Sequence, residues 1–382
     1  MRIGLVHSNY RSSNPSGENT TVLEISNILN ILGHQVIILG GNTDELVASK
    51  VLQLEELLSH HLSKKSDLAN TISTLDSIQI HNPFPHLSVA DWELIEKSNK
   101  PVVRVVHNYR KTCISGTHFR NDKICFKCDA DHWITGLVLK CYNDSATRSL
   151  LISQYRNSIN KIEKYMEQNG FLHYVAISEN IKNYLLKQGI HRNSITTIHN
   201  YVHPRPKNVL QGKNVLYSGR ISGEKGIFAI LDYWITDPTL PNLHIAGALP
   251  GSSSLAKWMS DPRIKFHGYL EEFELEKVAA QCSFAIFPCL WEEPFGKTLV
   301  EAITRNQVVL STRQGIAKEL LTSSPLDHFI LNDWSNLSEL LNQNFTEVRD
   351  EYIRFTEDTC LNFFSKNRIS QEWFKLYETV NS

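Results

Sequence analysis

The sequence predicts an α/β protein built from two doubly wound domains facing each other across a cleft. Three observations predict it. Short β-branched apolar runs alternate with longer stretches of helical periodicity. The alternation runs twice, with a Pro-containing break, 201-YVHPRPKN-208, between the series. The 382 residues suffice for two or three ordinary domains.

In the first series Ile3 to Val6 reads as a strand. Thr20 to Leu32 reads as a helix with Val22, Ile25, Ile28, Leu29 and Leu32 on one face, and Gly33 ends it. Strands follow at Val36–Leu39, Ser77–Ile80 and Pro101–Val106. Residues 107–143 form an irregular insertion rich in Cys, His and Asp, and 144–168 read as a helix. Leu172–Ile177 and Ile195–Ile198 complete the series. In the second, strands at Val215–Tyr217, Leu243–Ala246, Ile264–His267, Ser283–Phe287, Val308–Ser311 and Phe329–Leu331 accompany a helix at Gly226–Ile235. Such alternation places helices on both faces of parallel sheets. The expected domains are 1–199, carrying the insertion, and 200–361. The tail from about 345 reads as helical, and 362–382 is expected to pack back on the first domain.

Bulk properties narrow the function. A net charge of -1 excludes polyanion binding by bulk electrostatics, so no nucleic-acid partner is expected. No apolar run approaches the roughly 20 residues of a membrane span. The stretch MRIGLVHSN is too briefly apolar for a signal peptide and reads as a buried strand. Seven Cys, an odd number, suit a reducing cytoplasm better than a disulfide framework.

Three loops carry the chemistry. In 288-PCLWEEPFG-296 a strand gives way to a helix, whose N–H groups at Phe295, Gly296, Lys297 and Thr298 favour an anion. Glu293 stands just before that helix and Glu301 inside it. Acids beside an anion hole suit a polyol phosphate, although favourable helix charges and a solvated Glu301 would read the same way. The loop 217-YSGRISGEKG-226 adds Arg220 and Lys225, two cations for a diphosphate, or else an ordinary Gly-rich turn. The loop 8-SNYRSSNPSGENTT-21 places Gly17 at a helix start, without a dinucleotide fingerprint.

Together the stretches 16-SGENTTVLEISNILNILGHQV-36, 104-RVVHNYR-110, 218-SGRISGEKG-226 and EEPFGKTLVE, with its E-x7-E spacing from Glu293 to Glu301, resemble the retaining glycosyltransferases of family 4. The resemblance covers nearly the whole chain and implies the GT-B fold, two Rossmann-like domains. It implies that Glu293 contacts the donor sugar and Glu301 the nucleotide ribose. Arg220 and Lys225 would neutralise the diphosphate in the loop of Ser218 and Gly219. Backbone groups of Phe295 to Leu299 would hold sugar and phosphate oxygens. The base would lie against the backbone at 267-HGYL-270, around Tyr269, and Gly17 against the phosphates. His107, at the end of a strand, matches the family's histidine near the reacting sugar. The chain departs from the family at 16-SG-17, where many members have two glycines.

The implied reaction moves a hexose from a UDP-, GDP- or ADP-linked donor to a glycan or lipid-linked acceptor, in cell-surface polysaccharide synthesis. The cations and helix terminus would stabilise the leaving diphosphate without a catalytic metal. With no evident covalent nucleophile, same-face attack with retention is expected. A catalytically silent nucleotide- or sugar-binding protein and a GT-B epimerase or phosphorylase are the alternatives.

Cys113, Cys125, Cys128 and Cys141 fall within 29 residues, and the central C-x2-C suits a structural zinc. Free thiols are the other reading. From Lys100 to Lys164 twelve Lys and Arg face five Asp and Glu. The basic, apolar stretch 148–166 offers a peripheral contact with the inner face of the membrane, or is an ordinary domain helix.

Overall fold

A computed structural model describes residues 1–10, 17–44, 65–128, 133–208, 212–249, 255–322, 327–331, 333–342, 352–355 and 363–380. Its contacts divide the chain into two units. The first comprises Met1–His118, Cys125–Tyr201 and Ile369–Ser382, and the second Phe119–Ile124 and Val202–Arg368.

The first unit holds a six-stranded sheet. In chain order its strands are β1 (Arg2–Val6), β2 (Gln35–Leu39), β3 (Ser77–Ile80), β4 (Val102–Val106), β7 (Leu172–Ala176) and β8 (Ile195–Thr197). Between β4 and β7 lies the hairpin of β5 (Phe119–Arg120) and β6 (Lys123–Ile124). All neighbours in the six-stranded sheet are parallel, in the order β2-β1-β3-β4-β7-β8. The order reverses between β1 and β3, and such a switch point leaves a crevice beyond the strand C-termini. Every residue of β3 is buried, as expected for a strand covered on both faces, while edge strand β2 is only partly covered. The register Gln79↔Val103 and Ile80↔Arg104 brings the chain after β3 and after β4 out side by side.

The helix Ala146–Gln168 is capped by the Ser145 side chain, which accepts from the Arg148 N–H. Its apolar stripe, including Ile152, Tyr155, Ile159, Ile162 and Met166, is buried. The stripe that suggested membrane contact is therefore spent on the core, and Lys161, Lys164 and Tyr165 stay exposed. Among the described residues no helix is long and apolar enough to cross a membrane.

The second unit repeats the plan with β9 (Val215–Ser218), β10 (Leu243–Ala246), β11 (Ile264–Gly268), β12 (Phe284–Phe287), β13 (Val308–Thr312) and β14 (Ile330–Leu331). All are parallel, in the order β11-β10-β9-β12-β13-β14, with the switch point between β9 and β12.

The insertion is less irregular than its sequence suggests. Asn121 and Asp122, both at positive φ (50° and 55°), make the two-residue turn of the β5–β6 hairpin, and Trp133–Val138 is a helix. The helices Lys65–Ser73 and Val89–Lys97 escaped the periodicity reading; the second is fixed by a capping box between Ser88 and Asp91. In the tail, Lys366–Val380 is a helix, and it buries Ile369, Trp373, Leu376 and Tyr377. The rest of the expected tail helix lies mostly outside the described residues.

Candidate functional site

In the second unit the predicted residues gather at the β9/β12 switch point. After β9 the chain turns through a short helix, Gly223–Lys225, and Gly226 takes a left-handed conformation (φ 71°). A side chain at Gly226 would overlap the Pro288 carbonyl, so the loop after β9 lies directly on the loop after β12. The Leu290 N–H donates to the Glu224 carbonyl at 3.0 Å, tying the two loops together.

That junction sets Lys225 against Glu293. The ammonium pairs with Glu293 Oε2, which also accepts from Trp291 Nε1 at 2.9 Å. Both side chains are largely covered. Burial pulls the Lys225 ammonium down, but the Glu293 carboxylate outweighs it and holds the amine above its ordinary value. Glu293 is held from below by glycines. A Cβ at Gly296 (φ 69°) would lie 3.2 Å from its Cγ, and one at Gly315 (φ 55°) would overlap its backbone. The Gly315 N–H donates to Glu292 Oε2 at 3.1 Å, which fixes the other acid of the pair. Arg220 is half exposed and lies 3.2 Å from Glu224. Arg220, Lys225 and the helix start at Gly296 are thus brought together.

The helix Lys297–Thr304 follows Gly296 directly. Phe295 is buried against Phe364, their ring centroids 5.6 Å apart. Thr298 and Lys297 are part-exposed. Leu299 needs a correction: its N–H is taken by the Gly296 carbonyl at 3.0 Å, because the first turn closes on itself. Glu301 is buried, and its Oε1 lies 2.8 Å from Arg205 Nη2. Arg205 also bonds Glu272. A carboxylate accepts about four hydrogen bonds, so this pair orients Glu301 without using it up. The sequence reading missed Arg205, which sits in the Pro-containing segment, and also Gly315. The Gly219 N–H donates to the Ala246 carbonyl at 3.0 Å just after Ser218 ends β9. Tyr269 is exposed beside Gly268 (φ 72°), where the chain leaves β11.

In the first unit Gly17 opens the helix Gly17–Ile31, and among the described residues nothing lies within 4 Å of where its Cβ would stand. Ser16 lies outside the described residues. Asn19 Oδ1 lies 3.0 Å from His7 Nε2 and accepts from the Tyr10 N–H, tying this helix start to the end of β1. His107 follows β4 and lines a pocket open to solvent. His81, Arg104, Arg110, Lys111, Tyr155 and Glu163 line it too. Glu163 is buried between Arg104 (3.1 Å) and Lys111 (2.6 Å). Burial alone would raise this acid, but the two cations hold it below its ordinary value. Burial, with His7 and Arg104 nearby, pulls His107 down to about 3, so the ring is neutral. Its Nε2 lies 2.8 Å from His81 Nδ1, a partner the sequence reading overlooked in 81-HNPF-84.

Cys113 and Cys128 are buried, and Cys125 and Cys141 are partly covered. Burial and the other three thiols push the Cys128 thiol up to about 11, so the four lie in one neighbourhood. Among the described residues, however, no three His, Cys, Asp or Glu side chains converge closely enough to hold a metal ion.

Two family models match this chain. Glycosyl transferases group 1 covers residues 203–343. Glycosyltransferase Family 4 covers residues 15–205, half of the chain. The chain belongs to glycosyltransferase family 4. An uncharacterized 42.6 kDa protein in the cps region of Klebsiella pneumoniae is 24% identical over 344 residues, 86% of this chain and 79% of that protein. Among solved structures, a glycosyltransferase from Rickettsia africae superposes with TM-score 0.68 at 16% identity, covering 99% of this chain and 98% of that one. The Anabaena HepE protein in complex with UDP-glucose superposes with TM-score 0.64 at 15% identity, over 99% and 100%. These likenesses show the GT-B fold. Glu293, Glu301, Arg220 and Lys225 lie in the second unit and His107 in the first.

Proposed function

We propose that the protein is a retaining hexosyltransferase that takes its sugar from a nucleoside diphosphate sugar. The observation that carries this reading is the buried Lys225–Glu293 pair beside Arg220 and the helix start at Gly296. Lys225 and Arg220 neutralise the departing diphosphate, Glu293 reads a sugar hydroxyl, and Glu301, oriented by Arg205, reads the ribose. His107, neutral, donates to a hydroxyl of the reacting sugar. The acceptor attacks from the face the diphosphate leaves, and the leaving phosphate oxygen takes the acceptor's proton. Paired cations serve where other transferases use a metal.

The UDP-glucose complex of HepE supports a UDP-sugar donor, and the cps-region relative supports a role in surface polysaccharide assembly. The acceptor is then a glycan or lipid-linked saccharide, met in the cytoplasm at the inner membrane face. The exposed Lys161 and Lys164 favour an anionic surface there by charge. Release of nucleoside diphosphate from UDP-, GDP- and ADP-sugars tests the reading. One of the three is turned over, and Lys225→Ala abolishes it. Turnover unchanged in Lys225→Ala refutes the site, and an inverted anomeric signal in the product refutes retention.

For the cysteines we propose a structural zinc, supported by their spacing and by their common influence on Cys128. Binding requires the thiols to draw together from their present positions. Metal analysis finds one zinc per chain, absent from Cys125→Ser; no zinc in either protein removes the idea.

A further inference from the structure

Behind His107 runs a line of buried polar groups that reaches the helix Lys366–Val380. The Tyr377 hydroxyl donates to Gln79 Oε1 at 2.5 Å. Gln79 Nε2 lies 2.7 Å from His81 Nε2, and His81 Nδ1 lies 2.8 Å from His107 Nε2. Gln79, His81 and Tyr377 are almost wholly buried. All four residues belong to the first unit.

Two directions along this line are self-consistent, and the Tyr377 hydroxyl, by donating to Gln79 Oε1, selects one of them. A phenol that donates to Oε1 fixes that atom as the Gln79 carbonyl oxygen, so the amide NH2 faces His81. An NH2 group only donates, so His81 Nε2 must be bare and its proton must sit on Nδ1. That N–H then donates to His107 Nε2, which must be bare as well. The only proton left to the neutral His107 ring is on Nδ1.

We propose that Tyr377, Gln79 and His81 are positioning residues that select the Nδ1–H tautomer of His107. This inference rests on the family 4 reading for the meaning of His107, though not for the line itself. Protonating His107 on Nε2 would set two N–H groups against each other, unless every member of the line reversed. The line therefore keeps the ring a neutral, one-sided donor where it borders the pocket. The charged and titratable groups around the two rings are His7 just after β1, Arg104 from β4, and Arg110, Lys111 and Glu163 along the pocket. Glu163 is engaged by Arg104 and Lys111, which leaves the line to set the tautomer.

The test is long-range proton–nitrogen NMR on full-length protein labelled with 15N-histidine, with signals assigned through His81→Asn and His107→Asn. The full-length protein shows His107 and His81 each protonated on Nδ1 at neutral pH. Tyr377→Phe keeps the ring but frees the Gln79 amide to turn, and His107 becomes a mixture of tautomers. In the same variant kcat for donor turnover falls by about threefold to tenfold, the range of one net hydrogen bond, while KM for the donor stays put. The acid limb of the kcat profile also moves to higher pH. Gln79→Met, which cannot donate, gives the same pattern by an independent route. Protonation of His107 on Nε2 in the unaltered protein overturns the proposal. An unmixed tautomer with unchanged kcat in both variants overturns it too, even if both melt earlier, because a merely structural role moves only stability. His107→Ala separates the two ideas: full donor turnover in that variant defeats the proposed role of His107 in transfer, and the spectra still judge the line.

Discussion

Replacing Lys225 by methionine removes the charge and keeps much of the side-chain volume. Glu293 is then left covered, with Trp291 Nε1 at 2.9 Å as its remaining close donor and Cys289 Sγ at 3.7 Å. Removing one partner of a buried ion pair costs about 3–5 kcal/mol. The surviving indole bond places the expected loss near the lower end, about 3 kcal/mol. For a unit of this size that lowers the melting temperature by roughly 6–12 °C. Adding Glu293→Gln removes the stranded charge, so the double variant recovers about 2 kcal/mol of the loss. Function should not recover. Loss of one preorganised cation from the leaving group costs about a hundredfold or more in kcat, and the second substitution leaves it missing. Urea unfolding and nucleoside diphosphate release, on the same four proteins, read the two effects separately. Strictly additive stabilities would refute the pairing. Turnover in Lys225→Met within a few-fold of the unaltered protein would refute its role in transfer.

Other outcomes follow from the same geometry. Gly315→Ala forces a side chain into the Glu293 backbone at φ 55°, and should cost about 2 kcal/mol or more in stability and displace Glu293, read by unfolding and by lost turnover. His81 and His107 are held neutral, their folded values below that of the unfolded chain. Their contribution is therefore complete above about pH 6.5 and is lost as pH falls below it, for His107 down to about 3. Unfolding free energy should fall across that window with a slope approaching about 1.4 kcal/mol per pH unit for each ring, and His107→Gln should flatten it. Glu163 is depressed, so its contribution is present above the ordinary carboxylate range and fades as pH drops through its folded value. Glu163→Gln should destabilise the first unit by about 3 kcal/mol at neutral pH, because Arg104 and Lys111 then face each other without an acid. Unchanged urea midpoints would contradict it.

Where the chain wrote its plan in periodicity, the sequence was readable. Parallel strands buried on both faces are short apolar runs, and each run read from the sequence is a strand here. Loops after strands, at points where glycine is forced, were readable for the same reason: Gly226 and Gly296 stand where backbone meets backbone. What sequence could not show is which distant groups meet. Arg205 pairs with Glu301 across 96 positions, and Gly315 makes room for a residue in another loop. His81 drew no reading from the sequence, because its significance comes from the β3–β4 register. In the helix Ala146–Gln168 the apolar stripe reads the same in sequence whether it meets lipid or protein, and here it is buried.

The bond between Gln79 and Tyr377 spans 298 positions. On the ribosome, the first sheet can assemble while its last buried tyrosine has yet to be synthesised. Every residue of the second sheet is made in the interval. A nascent chain halted before Ile369 would hold six paired strands and a histidine after β4, with the socket for Trp373 and Tyr377 still open to water. Completion of the first unit's core thus waits on a helix made after the whole of the second sheet.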